Sequence, residues 1–447
     1  MSDRLFIFDL DGVLVDSKQI HFDSLNKALA SIDNKYTISE HDQKNIFEGL
    51  STNQKLSILT ETRGLPEFNH DLIWKLKQTH SLEFFNKLQV DNELIKIFKY
   101  IKKNNIKIAV ASNSIKKTVE VCLESLGLMQ YVDCYMSNED VKNPKPHPDM
   151  YLKCISQCKG SVNNTVIFED SYIGKIGAFQ AKAKLVSVKS RSDLSFQKIL
   201  DEIDYVDKEI NVLIPMAGDG RRFLDKGYQK PKPLIKINNK TMIEVVHKNI
   251  NISGKYIFVA KKQHVDDFEL NKTISSFCKN FVLVEQDIKL DGAVKSCLLA
   301  KDYIDNDQPL IIANSDQYIS WDSKKAIDYF LKSGVDGAIL TFKANDTKWS
   351  YVKRNKYNIV SAVAEKNVIS NEATCGIYFW RKGSDFVKYA EQMVEKGIKT
   401  NNEFYVCPVY NEAIEDEKII VAYLVDQMYG LGTPEDLQSF LQKRINV

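Results

Sequence analysis

The sequence predicts an α/β protein of two domains, each built on its own sheet. Short β-branched or aromatic runs alternate with amphipathic stretches of helical length over nearly the whole chain, the pattern of parallel strands connected by helices. Two apolar runs, Leu5–Phe8 and Val212–Met216, are each followed directly by a loop of acidic residues or glycines. A length of 447 residues also favours two or three domains over a single core.

Bulk composition excludes several classes of protein. Apolar residues make up 44% of the chain and charged residues 27%, as in globular rather than disordered proteins. A net charge of +2 gives no reason to expect nucleic acid or a membrane surface as a partner. No apolar stretch approaches the ~20 residues of a membrane helix, and no signal peptide precedes the first strand. We therefore expect a cytoplasmic protein with free cysteines, and the sequence leaves open whether it forms a homo-oligomer.

We expect the first domain to span residues 1–208, because the charged stretch Asp201–Glu209 separates two strand patterns. The segment from about residue 17 to 88 has helical periodicity and few strand signals. It is therefore predicted to be a helical cap inserted after the first strand rather than part of the sheet. The predicted strands of this domain are Leu5–Phe8, Lys107–Ala111, Thr165–Phe168 and Lys184–Val188.

The second domain is predicted to span residues 209–447. Its strand candidates again alternate with helix-length stretches, so a second sheet of parallel strands is expected. These candidates are Asn211–Met216, Tyr256–Ala260, Phe281–Glu285, Leu310–Ala313, Gly337–Phe342, Thr374–Trp380 and Ile419–Leu424.

Two carboxylates, Asp9 and Asp11, follow the first strand, where open α/β sheets bind ligands. One carboxylate can attack phosphorus to form an aspartyl-phosphate, and a second can protonate the leaving group and later activate water. Such a site needs Mg²⁺ and a basic group to offset the charge of the phosphate. Candidates for these roles follow the later strands: Ser112, Asn113, Lys145, Glu169 and Asp170.

This order of motifs resembles the haloacid dehalogenase superfamily, in its β-phosphoglucomutase-like branch with a helical cap, over about residues 1–190. The resemblance is carried by Asp9-x-Asp11-Gly12, Ser112-Asn113, Lys145-Pro146 and Glu169-Asp170-Ser171. It implies a Rossmann-like domain with Asp9 as the nucleophile and Asp11 as the general acid/base. It also implies phosphate binding by Ser112, Asn113 and Lys145. The Mg²⁺ ligands that it implies are Asp9, the backbone carbonyl of Asp11 and Asp170, with Glu169 as a further candidate.

One departure separates the chain from the mutases of this branch. Those mutases grip a second phosphate with an arginine in a cap turn, and the matching stretch here is Gly49-Leu50-Ser51-Thr52. Loss of a bidentate phosphate clamp favours a phosphatase, with a phosphomutase as the alternative. His21, in the predicted cap, is interpreted as structural, with a catalytic role in the pocket as the alternative.

A second constellation begins with Gly218 and Gly220, which follow a strand and precede basic residues. Glycines let backbone N–H groups approach phosphates, and basic side chains neutralise a triphosphate. Arg222 and Lys232 supply such charges, and Asp316 ends an apolar strand where a metal ligand would serve a bound nucleotide.

These residues resemble the sugar-phosphate nucleotidyltransferases, whose domain is similar to the glycosyltransferase-A fold, over about residues 210–447. The resemblance implies that Arg222 and Lys232 bind the triphosphate and that Asp316 holds Mg²⁺. It implies that Glu365 and Lys366 contact the acceptor substrate, and that the stretch around Gly292 lies beside base and ribose. A phosphate oxygen of the acceptor would attack the α-phosphorus, and pyrophosphate would leave.

Two departures mark the second constellation. Arg221 stands where the family has Ser or Thr. The late stretch in which many members carry a second metal-binding Asp is matched by Tyr429-Gly430-Leu431-Gly432-Thr433, which has no acid. The second metal ligand is therefore left open, and Mg²⁺ commonly completes its coordination with water.

The two constellations together predict a bifunctional enzyme of nucleotide-activated sugar or polyol synthesis. Resemblance to nucleotidyltransferases of capsule and surface-glycan loci favours CTP as the nucleoside triphosphate and a phosphorylated sugar or polyol as the acceptor. A phosphatase that hydrolysed this acceptor would destroy the transferase's substrate, so we expect it to act on a different phosphate. The alternatives are a phosphomutase fused to a transferase, or one active domain beside a scaffold or metabolite-binding domain.

Overall fold

The computed structural model describes residues 4–47, 50–204 and 208–443. The chain folds as two compact units, Met1–Tyr205 and Val206–Val447. The predicted boundary at residue 208 adjoins residues 205–207, which lie outside the described residues. None of the described helices is long and apolar enough to cross a bilayer.

The sheet of the first unit is parallel throughout. Its strands are β1 (Leu5–Phe8), β2 (Lys107–Ala111), β3 (Cys134–Met136), β4 (Thr165–Glu169) and β5 (Lys184–Ser187). They pair in the order β3-β2-β1-β4-β5, and the central β1 is buried on both faces. The sequence did not predict β3, because three residues at the edge of a sheet are too few to show a period.

Helices cover this sheet and also form a separate layer beyond it. They are α1 (Lys18–Ala30), α2 (Glu40–Asp42), α3 (Thr52–Arg63), α4 (His70–Phe85), α5 (Asn92–Lys103), α6 (Lys116–Ser125), α7 (Asp149–Gln157), α8 (Tyr172–Gln180) and α9 (Phe196–Ile203). Helix α5 buries Leu94, Ile97, Phe98 and Ile101 against the sheet core, the spacing of an amphipathic helix. Helices α1, α3 and α4 contribute to a hydrophobic core of their own, which includes Leu29, Leu59 and Ile73. The predicted helical cap insertion is confirmed.

The second unit contains a larger sheet. Its strands are β6 (Ile210–Pro215), β7 (Lys236–Ile237), β8 (Lys240–Thr241), β9 (Gly254–Lys261), β10 (Phe281–Gln286), β11 (Leu310–Ala313), β12 (Gln317–Ser320), β13 (Gly337–Lys343), β14 (Ser350–Arg354), β15 (Val360–Glu365), β16 (Glu372–Trp380), β17 (Ile420–Leu424) and β18 (Gln427–Gly430). The main sheet has the order β10-β9-β6-β11-β16-β13-β17, and the hairpin β14–β15 joins it at β16.

This second sheet is mixed, which corrects the expectation of parallel strands throughout. Strand β16 runs antiparallel to both β11 and β13, whereas β10, β9, β6 and β11 are parallel neighbours. Apolar periodicity records which residues are buried but not the direction of a strand. The α/β class itself is confirmed.

The helices of the second unit are interspersed among these strands. They are α10 (Arg221–Leu224), α11 (Met242–Ile250), α12 (Lys262–Asp267), α13 (Leu270–Ser275), α14 (Ala293–Leu298), α15 (Lys301–Ile304), α16 (Ser323–Ser333), α17 (Gly383–Glu395), α18 (Val409–Glu415) and α19 (Pro434–Gln442). Trp380 on β16 stacks on Tyr410 of α18 with ring centroids 4.2 Å apart, inside the main core of this unit.

Candidate active sites

A buried lysine joins two carboxylates at the carboxyl end of the first sheet. Asp9 directly follows β1, Glu169 ends β4, and Lys145 lies in the loop before α7. Lys145 Nζ lies 2.6 Å from Asp9 Oδ1, 2.5 Å from Glu169 Oε1 and 2.7 Å from the Ala111 carbonyl oxygen. Buried charges are retained where ion pairs and hydrogen bonds compensate for lost water. The fold thus brings Asp9 and Lys145, predicted from separate motifs, into direct contact.

Negative charge is in excess in this cluster, which includes Asp170. Burial and the neighbouring Glu169 carboxylate raise the pKa of Asp9 well above its ordinary value, although Lys145 opposes them. Burial, followed by the charge of Glu169, raises the pKa of Asp170 to about 6. A group of carboxylates that is costly to ionise favours a bound cation.

The donor set fits a divalent metal ion. Asp9, Glu169 and Asp170 each offer a carboxylate oxygen, and these oxygens lie within 4.8 Å of one another. Asp170 Oδ1 is buried and has no hydrogen-bond partner among the described residues. Gly12 has a φ of +79°, and a Cβ there would lie 2.0 Å from Asp170 Oδ2, so glycine lets Asp170 approach the backbone next to Asp11. Hard divalent cations take oxygen ligands of this kind.

Asp170→Asn is expected to stabilise the metal-free protein at pH 7.5 and to abolish its stabilisation by Mg²⁺. The pKa of Asp170 in the folded protein, about 6, lies above its ordinary value of 3.8. The protonated carboxyl therefore contributes to stability below pH 3.8, and this contribution is lost as the pH rises through 6. The full shift in pKa corresponds to about 3 kcal/mol in the free energy of unfolding. Because Asp170 is partly exposed, we expect the neutral amide to raise the free energy of unfolding by about 1–2 kcal/mol.

Differential scanning calorimetry in EDTA and in Mg²⁺ measures both effects of Asp170→Asn. The matched control is Asp16→Asn, which removes an exposed carboxylate of the same loop and should change neither value. An Asp170→Asn protein that gained as much stability from Mg²⁺ as the wild type would contradict the prediction.

Asp11 faces the cap rather than the buried lysine. Its Oδ1 lies 3.1 Å from His21 Nε2 on α1, and its Oδ2 accepts hydrogen bonds from Ser112 Oγ at 3.3 Å and Ser114 Oγ at 2.9 Å. Burial raises the pKa of Asp11, but the hydrogen bond and charge of His21 outweigh burial, and the pKa is lowered. The His21 ring, interpreted from the sequence as structural, thus contacts the predicted acid/base.

Lys77 is a residue of this site that sequence reasoning missed. It lies on α4 with only 8% of its surface exposed, and its Nζ lies 3.2 Å from His21 Nδ1. A signal was available, because α4 buries Ile73, Lys77, Ser81 and Phe85 at intervals of four residues. A lysine within the buried stripe of an amphipathic helix is unusual unless it has a partner there.

Asn113, which is predicted to bind phosphate, contacts the backbone of Lys145 through its side chain. Its Oδ1 accepts a hydrogen bond of 3.0 Å from the Lys145 backbone N–H, and its Nδ2 donates one of 3.2 Å to the Lys145 carbonyl. The amide therefore uses both ends to hold the loop that carries Lys145. Ser112 remains buried beside Asp11, where its hydroxyl also accepts a hydrogen bond from the Ser114 N–H.

The cap turn that carries an arginine in the mutases is the start of α3. Thr52 is its first residue and adds no charge, while Gly49 lies outside the described residues. Lys55, one turn further along α3, donates a 3.0 Å hydrogen bond to Gln43 Oε1. Burial lowers the pKa of Lys77; the charge of Asp11 opposes this effect, and the charge of Lys55 adds to it.

A second lysine–carboxylate pair forms in the second unit. Lys232 Nζ lies 2.8 Å from Asp316 Oδ2, and both side chains are partly buried. Gly220 has a φ of +62°, and a Cβ there would lie 3.1 Å from Lys232 Cβ, so the glycine loop packs against this lysine. The fold thus brings together a lysine predicted to bind the triphosphate and an acid predicted to bind the metal.

Other residues of the glycine loop are not brought to this pair. The Arg222 side chain is exposed and makes no hydrogen bond or ion pair with the part of the chain that the structure describes. No atom lies within 4 Å of a Cβ built on Gly218, so the loop is open there. Asp219, which had no predicted role, has three basic partners: Lys261, Arg221 and Lys289.

Two predicted parts of the substrate site contact the segment Phe404–Tyr405. They are the stretch around Gly292, predicted to lie beside base and ribose, and Lys366, predicted to contact the acceptor. The Phe404 N–H donates a 2.8 Å hydrogen bond to the Asp291 carbonyl, and a Cβ at Gly292 would lie 2.3 Å from the Phe404 nitrogen. Lys366 Nζ lies 2.6 Å from the Tyr405 hydroxyl. Beside Lys366, Glu365 accepts a hydrogen bond from Ser350, and burial raises the pKa of Glu365.

An acid that sequence reasoning did not identify lies beside the late glycine stretch. A Cβ at Gly430 would lie 3.4 Å from Asp436 Oδ2, and one at Gly432 would lie 2.7 Å from Asp316 Oδ2. The Leu431 N–H between them donates a 2.8 Å hydrogen bond to the Asp316 carbonyl. Asp436 and Asp316 therefore both present carboxylates to one short segment.

Comparison with known proteins agrees with both constellations. Residues 6–188 match the family model of haloacid dehalogenase-like hydrolases, and residues 211–443 match that of nucleotidyl transferases. A phosphorylated carbohydrates phosphatase of Thermotoga maritima is 26% identical over 168 residues, which are 38% of this chain and 76% of the relative. The pyrophosphatase PpaX of Bacillus mycoides is 24% identical over 47% of this chain and 94% of its own length.

One solved structure is similar to about half of this chain. The nucleoside-diphosphate-sugar pyrophosphorylase of Vibrio cholerae is 22% identical, with a TM-score of 0.44, over 52% of this chain and 99% of its own. The nucleotidyl transferase model covers more than half of the chain. The chain is therefore an enzyme of the nucleotidyl transferase family, fused at its amino-terminal side to a haloacid dehalogenase-like hydrolase domain.

Proposed function

We propose that this chain is a bifunctional enzyme of nucleotide-activated sugar or polyol synthesis for surface glycans. Its first domain would hydrolyse a phosphate monoester through an aspartyl-phosphate, with Mg²⁺. Its second would transfer a nucleotidyl group, from CTP in preference to other nucleoside triphosphates, to a sugar or polyol phosphate. The observation that carries the proposal is the pair of lysine–carboxylate centres, Lys145 with Asp9 and Lys232 with Asp316, each at a strand end.

In the first domain, Asp9 would attack phosphorus while Lys145 neutralises the transferring group and holds Asp9 in place. Asp11 would donate a proton to the leaving oxygen and then accept a proton from the attacking water. Asp9, Glu169 and Asp170 would hold the Mg²⁺, which when bound offsets the repulsion between carboxylates and phosphate. Curated relatives of this domain named as a phosphatase and a pyrophosphatase support phosphoryl hydrolysis.

In the second domain, Lys232 would leave Asp316 for the triphosphate when a nucleotide binds, and Asp316 would then be available to Mg²⁺. Lys366 and Tyr405 would orient the acceptor phosphate for in-line attack on the α-phosphorus. Gly292 lets the chain approach the Phe404 backbone, and base and ribose would lie beside this stretch.

We further propose Asp436 as the second carboxylate of the transferase metal site, in place of the acid that the late stretch lacks. Asp436→Asn is expected to lower nucleotidyl transfer about tenfold or more and to weaken Mn²⁺ binding in the presence of CTP, because one charged ligand is lost.

The Asp436 prediction is measured by electron paramagnetic resonance of bound Mn²⁺ in an Asp170→Asn background, which removes the other metal site. Glu435→Gln neutralises the exposed neighbouring acid and serves as the matched control. Unchanged Mn²⁺ affinity in Asp436→Asn would remove this residue from the metal site.

The proposed function is tested by pyrophosphate release from the four ribonucleoside triphosphates, each combined with a panel of sugar and polyol phosphates. Asp9→Asn protein is used so that hydrolysis does not consume the acceptors. We expect one productive pair that contains CTP. Equal rates with all four triphosphates would reject the CTP assignment, and no release with any pair would reject the transferase assignment. Hydrolysis of p-nitrophenyl phosphate by the wild-type protein tests the first domain independently.

A further inference from the structure

Two cysteines of the hydrolase domain lie in contact without being bonded. Cys134 is the first residue of β3, and Cys158 directly follows α7. They are free thiols 24 positions apart in the chain, and their Sγ atoms lie 3.2 Å apart. Because a disulfide has an S–S length of about 2.05 Å, the sulfurs need to approach by about 1 Å to form one. Small rotations of the two side chains can supply that distance.

An oxidant can reach one thiol of this pair more readily than the other. Cys134 is half-buried, whereas Cys158 is 4% exposed. An oxidant that reacts with Cys134 therefore leaves a modified sulfur in contact with a protected thiol. A thiol in that position can convert the first product into a disulfide, which is the role of a resolving cysteine.

A third cysteine in this region, Cys154, is buried one helical turn before Cys158 on α7. Its Sγ lies 3.9 Å from the Val110 carbonyl oxygen on β2, so this sulfur faces the sheet. Its own carbonyl oxygen lies 3.9 Å from Cys134 Sγ. The sulfur that Cys134 contacts at 3.2 Å is that of Cys158.

We propose that Cys134 and Cys158 are an oxidation site that forms a reversible disulfide, with a small-molecule disulfide such as oxidised glutathione as the oxidant. The Cys134 thiolate attacks one sulfur of the oxidant and releases one glutathione, which leaves a mixed disulfide. The Cys158 thiolate then attacks Cys134 Sγ and releases the second glutathione. Two protein thiols are oxidised, one glutathione disulfide is reduced, and the two protons pass to the glutathione products.

The surroundings of the pair set the conditions under which it reacts. The hydrogen bond with Cys154, ahead of burial, raises the pKa of Cys134 to about 12, and the contact with Cys134, ahead of burial, raises the pKa of Cys158. Because the thiolate is the attacking species, the first step is slow at neutral pH. The second step is favoured because the two sulfurs are already in contact. In a reducing compartment the pair stays reduced until a disulfide oxidant accumulates.

The bond closes the segment that carries Lys145. This segment runs from Cys134 to Cys158 and contains the Lys145 loop and the whole of α7, whose Tyr151 donates a hydrogen bond to Glu169. A crosslink between the ends of a segment reduces the conformational freedom of the unfolded chain. The thiols lie at the end of α7 far from Lys145, so the bond restrains the segment without entering the site. We therefore expect oxidation to stabilise the hydrolase domain.

The test treats the purified protein with oxidised glutathione at pH 8.5, where more of each thiol is ionised. The remaining thiols are then alkylated under denaturing conditions, and the peptides are mapped by mass spectrometry. We expect two of the eight cysteines to escape alkylation and one peptide pair to join Cys134 to Cys158, with both thiols restored by dithiothreitol. A calorimetric transition of the oxidised protein should lie about 5 °C higher than in the reduced protein.

Cys158→Ala should prevent the bond and leave glutathione on Cys134. Cys154→Ala is the matched control, because it removes the neighbouring thiol of the same helix and should still form the bond. A full count of alkylated cysteines, a link from Cys134 to Cys154, or a glutathione that stays on wild-type Cys134 would overturn the inference. A Cys134–Cys158 bond without a rise in melting temperature would overturn its stabilising role. The map of the wild-type protein needs neither a variant nor an enzymatic activity, so its outcome is independent of the proposed function.

Discussion

Asp9→Asn is expected to lower phosphate release by at least about 1,000-fold and to leave nucleotidyl transfer unchanged. The amide cannot attack phosphorus, and no other carboxylate occupies its place, since Glu169 is bound by Lys145 and Tyr151. Transfer should be unaffected because its proposed groups lie in the other unit. Phosphate release from p-nitrophenyl phosphate measures the first effect, and pyrophosphate release with CTP and acceptor measures the second.

Asp16→Asn is the matched control for this prediction. Asp16 is exposed in the same loop, seven positions after Asp9, and its amide should leave both activities as they are. The asparagine at position 9 preserves the size of the side chain, and Lys145 keeps its contact with Glu169. Residual hydrolysis within about tenfold of the wild type would exclude Asp9 as the nucleophile.

Lys232→Gln is expected to lower nucleotidyl transfer by about 100-fold or more and to leave hydrolysis intact. Its ammonium is the partly buried cation next to Asp316, and the glycine loop packs against its stem through Gly220. Loss of this cation removes charge stabilisation that grows as pyrophosphate departs, so kcat should fall as well as the affinity for the triphosphate.

Lys230→Gln is the control here, because Lys230 is exposed two positions earlier in the same Lys-Pro-Lys-Pro stretch. Initial rates at saturating and limiting CTP separate an effect on kcat from one on KM. A Lys232→Gln protein with wild-type kcat and a raised KM alone would assign this lysine to ground-state binding.

Most of the candidate residues could be predicted because they lie in short, contiguous motifs at strand ends. Asp9, Asp11 and Asp170 each follow an apolar run that identifies its strand, and the carboxyl ends of parallel strands share one edge of a sheet. Lys77, by contrast, carries no motif. It becomes part of the site only because α4 buries that face against α1, where His21 is located.

Some roles depend on contacts that no local pattern encodes. Asn113 is adjacent to Ser112 in a phosphate-binding motif, yet its amide holds the Lys145 backbone. Asp436, which we propose in place of the missing acid, belongs to a different element, and only its approach to Gly430 in the folded chain brings it to notice. In both cases the contact joins residues that come together only when the chain has folded.

The sequence by itself determined the α/β class, the helical cap insertion and the two loops that carry the acids and lysines. These follow from apolar periodicity and from adjacent residues, which are local properties of a chain. The tertiary structure alone decided the contact of Lys145 with Asp9 across 136 residues, the mixed direction of the second sheet and the contact of Lys77 with His21 in the cap. The physical reason is that ion pairing and strand direction depend on distant segments packing together, and hydrophobic burial selects those partners only when the whole core forms.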